Sequence, residues 1–435
     1  MGFYLGIDLG TSYFKAGIYD DAGCRCGLGR EPVPKVNDGC RCELHVRDFW
    51  GALERCITQA LHNAEIEAKD ITAISYSSQA NSFVLLDGDD KPLTPLILWP
   101  DSRAAGDDKV QRLLAGRPNF VGKTGLGIAI NEEFMVSKII WLQDNEPGIW
   151  AQTASVMTIS DYLIYVLIGE KVGDLGTASM TGLLDVTNLT WWPEALAAMG
   201  IGKNMLSKPL PTGTLAGKVT SNGAGLLNLA EGTEVYLGSL DHYAVAIGAG
   251  IMAGRRISES TGTVLAAVNY CNSYSPREGV ITSPGLDGNH YFRLAFDGNG
   301  ATAVEWYQKN YAPDKTILQL ENEARSIPAG CDGLKAKPQS DTSPGLEGFG
   351  NIKPTHTPAH FLRAIFESTA ATLVQLVDKL DAGRDATEVI PSGGGARNTL
   401  WLQIKADMLQ RKYLPQASGE LATKGAALIC TIKSK

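Results

Sequence analysis

Asp8 lies inside the apolar run "FYLGIDL", which ends at Leu9 and leads into Gly10-Thr11-Ser12. A carboxylate in a strand that otherwise reads as buried needs a partner, and the turn suggests one. A tight Gly turn directs backbone N–H groups outward, and Thr and Ser add hydroxyls, which together make a nest for phosphate oxygens. Asp8 would then face those phosphates and could hold Mg²⁺, directly or through water. The same order of strand, Gly- and hydroxyl-rich turn, and strand returns in "SESTGTVLAAVNY" at 258–270. Two such tips could clamp a polyphosphate between two lobes. A third glycine-rich element, "VIPSGGGARNTLWLQIKADML" at 389–409, leads a short strand through Gly393-Gly394-Gly395 into a helix from about Asn398. There the backbone can approach a ligand closely, with a helix N-terminus beside it. Neither the P-loop order nor the Rossmann Gly spacing is present, so a nucleotide would be bound by neither of those routes.

These elements sit in a chain of 435 residues with net charge −8 and 44% hydrophobic residues. That length accommodates two or three domains. The acidic balance argues against nucleic acid or an anionic membrane as partner, and no segment approaches the roughly 18–20 uncharged apolar residues of a membrane span. The start of the chain runs directly into a strand with no basic leader, so a cytoplasmic enzyme is expected. Eight cysteines include two "GCRC" echoes at 23–26 and 39–42. Their C-x-C spacing departs from the C-x₂₋₄-C of structural zinc sites, and they read as thiols on the paired strands of one hairpin.

The first half opens with strands over "FYLGIDLG", "FKAGIYD" and the region of "CRCELH". Helical periodicity follows in "VRDFWGALERCITQALHNAEI", with Asp48 as N-cap. "NEEFMVSKIIWLQDNEPGIW" predicts a helix capped at Asn131 and stopped by Pro147, and "SDYLIYVLIGE" one that starts at Ser160 or Asp161. Residues 203–235 read as loop and short strands. "GSLDHYAVAIGAGIMAG" predicts a small-residue helix, and the domain boundary is placed after it, giving domains 1–252 and 253–435. Helices are expected at 301–311, 357–381 and 398–411. Each half thus begins with a hairpin and closes with helices.

In this order the motifs resemble the FGGY family of carbohydrate kinases, nearest its xylulokinase-like branch, over nearly the whole chain. "GIDLGTSYFKAGIYD" is similar to the family's first phosphate loop, "ILWPDSRA" at 97–104 to its W-x-D-x-R stretch, and "GSLDHYAVAIGAG" to its Gly-x-x-Asp motif. "SESTGT" resembles the second phosphate loop, "GGGARNTLWLQIKADML" the adenosine motif, and "ELATKGAALIC" the Gly-Ala-Ala helix after it. The resemblance implies an α/β fold of two actin-like ATPase lobes, duplicated ribonuclease H-like domains with a cleft between them. It implies ATP and Mg²⁺ as cofactors, a small sugar as substrate and a possible homodimer. Asp241 would be the base that accepts the sugar hydroxyl's proton, and it could equally cap the helix it begins. Asp8 would organise Mg²⁺. Thr11, Ser12 and Lys15 would serve the first phosphate loop, with Lys15 otherwise projecting to solvent. Thr261, Gly262 and Thr263 would hold the ATP phosphates, and Gly394, Gly395, Asn398 and Gly300 would border the nucleotide. Gln79, Asn81, Trp99, Asp101, Arg103 and His242 would meet the substrate, since amides and carboxylates suit hydroxyls and an aromatic face suits C–H edges.

The chain departs from the family pattern in two places, the first bearing on substrate and the second on ATP binding. Glycerol kinases carry Arg-Glu after the residue matching Gln79, and xylulokinases resemble Q-M-H-G there, whereas this chain reads Gln79-Ala80-Asn81-Ser82. The second family signature is recognisable at His360, Arg363 and Glu367, with Asn351 where Gly is usual. The leading expectation is an ATP-dependent kinase of a small ketose such as a pentulose. The alternatives are a polyol or sugar-acid kinase, and a sugar- or nucleotide-binding pseudokinase or switch.

Overall fold

The computed structural model describes residues 2–338, 346–416 and 419–432. They form two compact units. The first comprises 1–248, 271–292 and 420–435, and the second 249–270 and 293–419. The expected boundary at 252 falls close to the first crossing, but a simple division there does not describe the chain, which returns to the first unit twice. The helix Leu421–Ile429 is the reason for the later return. It is tied to the N-terminal hairpin by the Tyr19 hydroxyl, 2.8 Å from Thr423 Oγ1, and by Lys15, 3.0 Å from Glu420.

In the first unit, Phe3–Leu9 pairs antiparallel with Tyr13–Asp20, which pairs antiparallel with Arg25–Pro32. Phe3–Leu9 also runs parallel to Ile71–Ser78, which runs parallel to Glu234–Tyr236 and Ser239–Leu240. Alternation divides the hairpin's two faces. Leu5, Ile7 and Leu9, with their register partners Ile18, Ala16 and Phe14, pack in one core with Phe49, Leu53, Cys56 and Ile57 of helix Val46–Ala64. Gly6, Asp8, Lys15 and Gly17 share the other face, where Leu421–Ile429 lies. Asp8 is therefore not a fault in a core strand. It belongs to the face that leaves the core. A second sheet, ordered Val36–Asp38, Arg41–Leu44, Leu96–Ile97, Phe83–Leu86 and Ser155–Thr158, carries the 97–104 segment at its rim.

The second unit repeats the hairpin. Arg256–Thr261 pairs antiparallel with Leu265–Cys271 and parallel with Glu388–Ser392, beside which Lys412–Tyr413 runs parallel. The helices Thr302–Tyr311, Pro358–Leu380 and Thr399–Leu409 form where the periodicity placed them. Their apolar faces meet in a core with Phe366, Leu362, Ile365 and Trp401 at its centre.

Several local expectations are corrected. Val46–Ala64 is preceded by His45 in extended conformation, and Asp48 lies in its first turn, where a carboxylate suits the positive end of the helix dipole. Asn131 does not cap a helix. Its side chain closes a turn on Glu133 N–H (3.2 Å), and the helix runs Met135–Asn145. Pro147 begins the next helix, Pro147–Gln152, at the position proline fits best. Thr158 caps Ile159–Ile168 by accepting from Asp161 N–H. Within 203–235 a helix, Ser221–Leu227, forms behind a Thr220 cap despite its glycines. The two C-x-C pairs do not share a hairpin. Cys26 lies in Arg25–Pro32 of the first sheet and Cys42 in Arg41–Leu44 of the second, and all eight thiols are free.

Asp161 and Asp174 are two of the carboxylates buried in the first unit outside the hairpin face. Asp174 caps Leu175–Ser179 and accepts from the Tyr76 hydroxyl at 2.9 Å. Burial, with the charge of Asp174 beside it, pushes Asp161 up to about 7 from an ordinary 3.8. The folded state thus holds this proton more tightly than the unfolded chain, so its contribution is most favourable below about pH 4 and is lost as pH rises to about 7. Asp161→Asn should leave stability unchanged at pH 4 and raise it by roughly 2–4 kcal/mol at pH 8. Urea unfolding of both proteins across that range checks the slope.

Candidate active site

The register of three parallel strands places the site of the first unit. Leu9 and Leu240 both pair with Ser78. The segments that follow, Gly10-Thr11-Ser12, Gln79-Ala80-Asn81 and Asp241-His242, therefore leave the sheet at one height and on one edge. Ligands of parallel sheets gather at the carboxyl ends of strands for this reason.

Asp8 is 6% exposed and accepts from the Ser77 hydroxyl at 3.0 Å. Lys15 does not project to solvent. It lies 3.7 Å from Asp8 and 3.0 Å from Glu420. Burial pushes the Asp8 carboxyl up to about 6, Lys15 opposes this, and Asp241 adds to it. Asp241 is the first residue of helix Asp241–Gly248, half-buried, with its Oδ1 accepting from His242 N–H at 2.7 Å. Behind it Tyr243 fixes the helix, its hydroxyl 2.7 Å from Ser283 Oγ and its ring stacked on Phe292 at 4.6 Å.

The residues expected to meet the substrate are joined to the first phosphate turn. Gln79 Nε2 donates to the carbonyls of Leu9 and Gly10, each at 3.2 Å, and its Oε1 accepts from the Ser82 hydroxyl at 2.9 Å. Ser82 in turn accepts from Trp99 N–H, and the Trp99 indole donates to Thr11 Oγ1 at 2.7 Å. Ser12 stands exposed at the tip. Asn81 sits in the left-handed region at φ 61, and its Oδ1 accepts from Met135 N–H at the start of helix Met135–Asn145. Asp101 and Arg103 are placed differently from expectation. Asp101 is fully buried, taking Arg103 Nε and Nη2 at 2.8 Å each and Cys42 N–H at 2.7 Å. Arg103 also reaches Glu43. This bidentate pair shapes the loop from inside and presents no free charge to a ligand.

Lys138 went unnoticed in the sequence, and its signal was there. It is a cation in "FMVSKIIWL" whose neighbours three and four residues away, Phe134, Met135, Trp141 and Leu142, are all apolar. It is 0% exposed, and its Nζ donates to the carbonyls of Leu98 (3.1 Å), Trp99 (2.8 Å) and Glu133 (2.7 Å). Burial lowers its pKa to about 7, while three acceptors suit the three protons of an ammonium. Lys138 thus pins the Trp99 segment onto helix Met135–Asn145.

In the second unit the turn after Arg256–Thr261 is closed by Gly262 N–H to the Val264 carbonyl at 3.2 Å, which leaves Thr263 exposed at the tip. The Thr261 hydroxyl, expected on the phosphates, instead turns inward to Glu259 and Lys405. Gly300 lies beneath the turn rather than at its surface. A Cβ there would come within 2.5 Å of the Gly262 and Thr263 carbonyls, so only glycine lets the turn rest on it. Gly394 is exposed, with open space where a side chain would be, and Gly395 is buried against Thr261. Asn398 caps Thr399–Leu409 by accepting from Trp401 N–H at 2.9 Å. In the second signature, Glu367 accepts from Arg363 Nε and from Gly330 N–H, and His360 bonds Asp332 at 3.1 Å. Asn351, where glycine is usual, has φ 59, a conformation that Asn tolerates better than most residues.

A hairpin with a phosphate-type turn in each unit, and an aspartate at the head of a helix beside the first, is the arrangement of a sugar-kinase ATPase. The chain belongs to the FGGY family of carbohydrate kinases: its residues 3–248 match the family's N-terminal domain and 341–434 its C-terminal domain. The fold is the two-domain α/β fold of actin-like ATPases, and the chain is a carbohydrate phosphotransferase of the xylulokinase-like branch. It is similar to the xylulose kinase of Bacillus subtilis (strain 168), 27% identical over 100% of this chain and 89% of that protein. The autoinducer-2 kinase of Escherichia coli (strain SMS-3-5 / SECEC) is 26% identical over 93% of this chain and 81% of its own length. Among solved structures, xylulose kinase from Rhodospirillum rubrum has a TM-score of 0.89 and 25% identity over 99% of this chain and 89% of that one.

Lys138→Met should orphan three carbonyls at roughly 1–3 kcal/mol per buried group and release the Trp99 segment. The expected result is a lower unfolding temperature together with a larger rise in KM for the sugar than for ATP, since Trp99 also bonds Thr11 of the first turn. Gly300→Ala should do the reverse, raising the KM for ATP and sparing that for the sugar. Initial-rate kinetics with each substrate varied in turn checks both.

Proposed function

We propose that the protein transfers the γ-phosphoryl group of ATP to a hydroxyl of a small uncharged ketose, with a pentulose the leading candidate and Asp241 as base. The observation that carries this reading is the shared height at which the Gly10 turn, the Gln79 loop and Asp241 leave three neighbouring strands. It sets a carboxylate, amides and an indole edge beside a phosphate-type turn.

The transition state of phosphoryl transfer is loose, so catalysis is chiefly positioning and charge stabilisation. Asp241 Oδ2 is the oxygen left to orient the sugar hydroxyl and take its proton, because Oδ1 is held by His242 N–H. Asn81, Trp99 and His242 are the proposed substrate contacts, with Gln79, Asp101 and Arg103 fixing the loops behind them. Thr11, Ser12 and Lys15 from the first turn, and Gly262, Thr263, Gly394, Gly395 and Asn398 from the second unit, are the proposed nucleotide contacts, with Thr261 and Gly300 supporting their turn.

Asp8 suits Mg²⁺ because it is a buried carboxylate short of positive charge, with Lys15 at 3.7 Å. Among the described residues no three His, Cys, Asp or Glu side chains gather into a metal cage. Magnesium is commonly held by one or two carboxylates with water and phosphate oxygens. When bound, the ion would neutralise charge on the transferring phosphates.

An uncharged substrate is favoured over a sugar acid by the state of the nearby cations. Arg103 is committed to Asp101 and Glu43, Lys138 to three carbonyls, Lys15 to Asp8 and Glu420, and Lys35 donates to the Thr11 carbonyl at 3.2 Å. Arg103 and Lys138 would each have to give up a partner to meet a carboxylate, and Lys15 already has two, which leaves Lys35, with its one carbonyl bond, as the cation a sugar acid would turn to.

Coupled ADP release with Mg-ATP against D- and L-pentuloses, tetruloses, pentitols, glycerol and hexonates tests the proposal. A ketose should raise turnover well above the hydrolytic background. Asp241→Asn should lower kcat by at least about 10²-fold, as expected when a general base is lost. Strongest stimulation by a hexonate overturns the uncharged-substrate reading. No stimulation by any sugar, with MgADP still bound, turns the reading to a nucleotide-binding protein without this activity.

A further inference from the structure

Glu259, Thr261 and Lys405 form a closed polar cluster inside the second unit. Their exposures are 1%, 0% and 0%. Lys405 Nζ lies 2.8 Å from Glu259 Oε1 and 2.5 Å from Thr261 Oγ1, and the Thr261 hydroxyl donates to the same carboxylate oxygen. Glu259 and Thr261 are two apart on one strand and so share a face. Lys405 comes from Thr399–Leu409, the helix that the triple glycine leads into, and its ammonium sits 4.6 Å from the Trp401 ring.

Stability alone does not account for this cluster. Taking an ion pair out of water costs several kcal/mol per ion in rough terms, and an apolar pair of similar volume commonly does as well or better. Here Glu259 Oε2 is buried with no hydrogen-bond partner, which adds to the cost. What the cluster does fix is the threonine at the base of the turn. A hydroxyl that donates to Glu259 and accepts from Lys405 has one orientation. The same residue is gripped from its other side: Ser260 pairs with Ser392 in parallel register, and the backbone that follows brings Gly393, at φ +74, against the Thr261 carbonyl and Gly395 against its Cβ.

We propose that Glu259 and Lys405 are positioning residues for ATP, and that their buried pair sets turn 261–263 and ties it to the helix after Gly393–Gly395. The inference rests on the reading that this unit binds the nucleotide. The phosphate turn and the adenosine-side helix then move as one piece, because one ammonium bonds both the strand that ends in the turn and the threonine at its base.

The test compares wild type with the double variant Glu259→Leu/Lys405→Met, which removes both charges together, and with Thr261→Val and Thr261→Ser. Calorimetry reads MgADP affinity, initial rates read kcat and both KM values, and thermal unfolding reads stability. If wild type fails to bind MgADP, the nucleotide reading itself falls and this inference with it. Given binding, the double variant should unfold at or above the wild-type temperature. It should nonetheless bind MgADP about ten- to a hundred-fold more weakly, the scale of loss when a reacting group is displaced from afar. The sugar KM should be unchanged. Thr261→Val should share that loss and Thr261→Ser should recover it. Wild-type MgADP affinity and kcat in the double variant or in Thr261→Val would overturn the proposal and leave the pair a packing feature. Should the double variant not fold, the contrast between valine and serine at 261 decides alone.

Discussion

Leu9, Ser78 and Leu240 lie side by side in one sheet, and the site of the first unit depends on that register. A shift of one residue in the first pairing would turn Asp8 toward the apolar face, and one in the second would carry Asp241 away from Gln79. The register is held because Leu5, Ile7 and Leu9 must face helix Val46–Ala64 while Gly6 and Gly17 must face Leu421–Ile429. Burial of one face therefore decides where a carboxylate on the other face points. Hydrophobic patterning and candidate chemistry are two readings of the same alternation.

Above the sheet the loops are held by polar groups that have little to give elsewhere. Gln79 spends its amide on two carbonyls and one hydroxyl, Trp99 its indole on Thr11, and Lys138 all three protons on carbonyls. Each bond is modest by itself. Their value lies in the cost of leaving any one unmade within a buried network. Such loops keep their shape without a ligand, so a substrate pays little to order them.

Much of this was legible in the sequence. The two hairpins, the triple glycine and the helices Thr302–Tyr311, Pro358–Leu380 and Thr399–Leu409 followed from alternation, turn residues and periodicity, while helix Ile317–Ala324 was missed. What escaped was whatever depends on distant partners. The Asp101–Arg103 pair reads as a ligand set in sequence, and only the fold shows Glu43 and Cys42 closing around it. Thr261 reads as a phosphate hydroxyl until Lys405, on the helix 144 residues later, claims it. Lys138 and Lys405 share a legible sign, a cation ringed by apolar helical neighbours, but the sign gives no partner. Caps were misplaced at Asp48 and Asn131 because each is the nearest Asp or Asn to its helix start, whereas the chain enters those helices at His45 and Phe134 without a side-chain cap.

The helix Leu421–Ile429, packed on the first hairpin, has a consequence for biosynthesis. Phe3–Leu9 leaves the ribosome well before the element that covers its Gly6 face, which follows roughly 400 residues later. At about 5–20 residues per second, that face waits on the order of tens of seconds. Throughout that time a nascent chain presents Gly6, Asp8 and Gly17 bare. The first unit thus becomes complete only after the second has been made, and a chain released early would carry a hairpin with one side permanently open to chaperones and proteases.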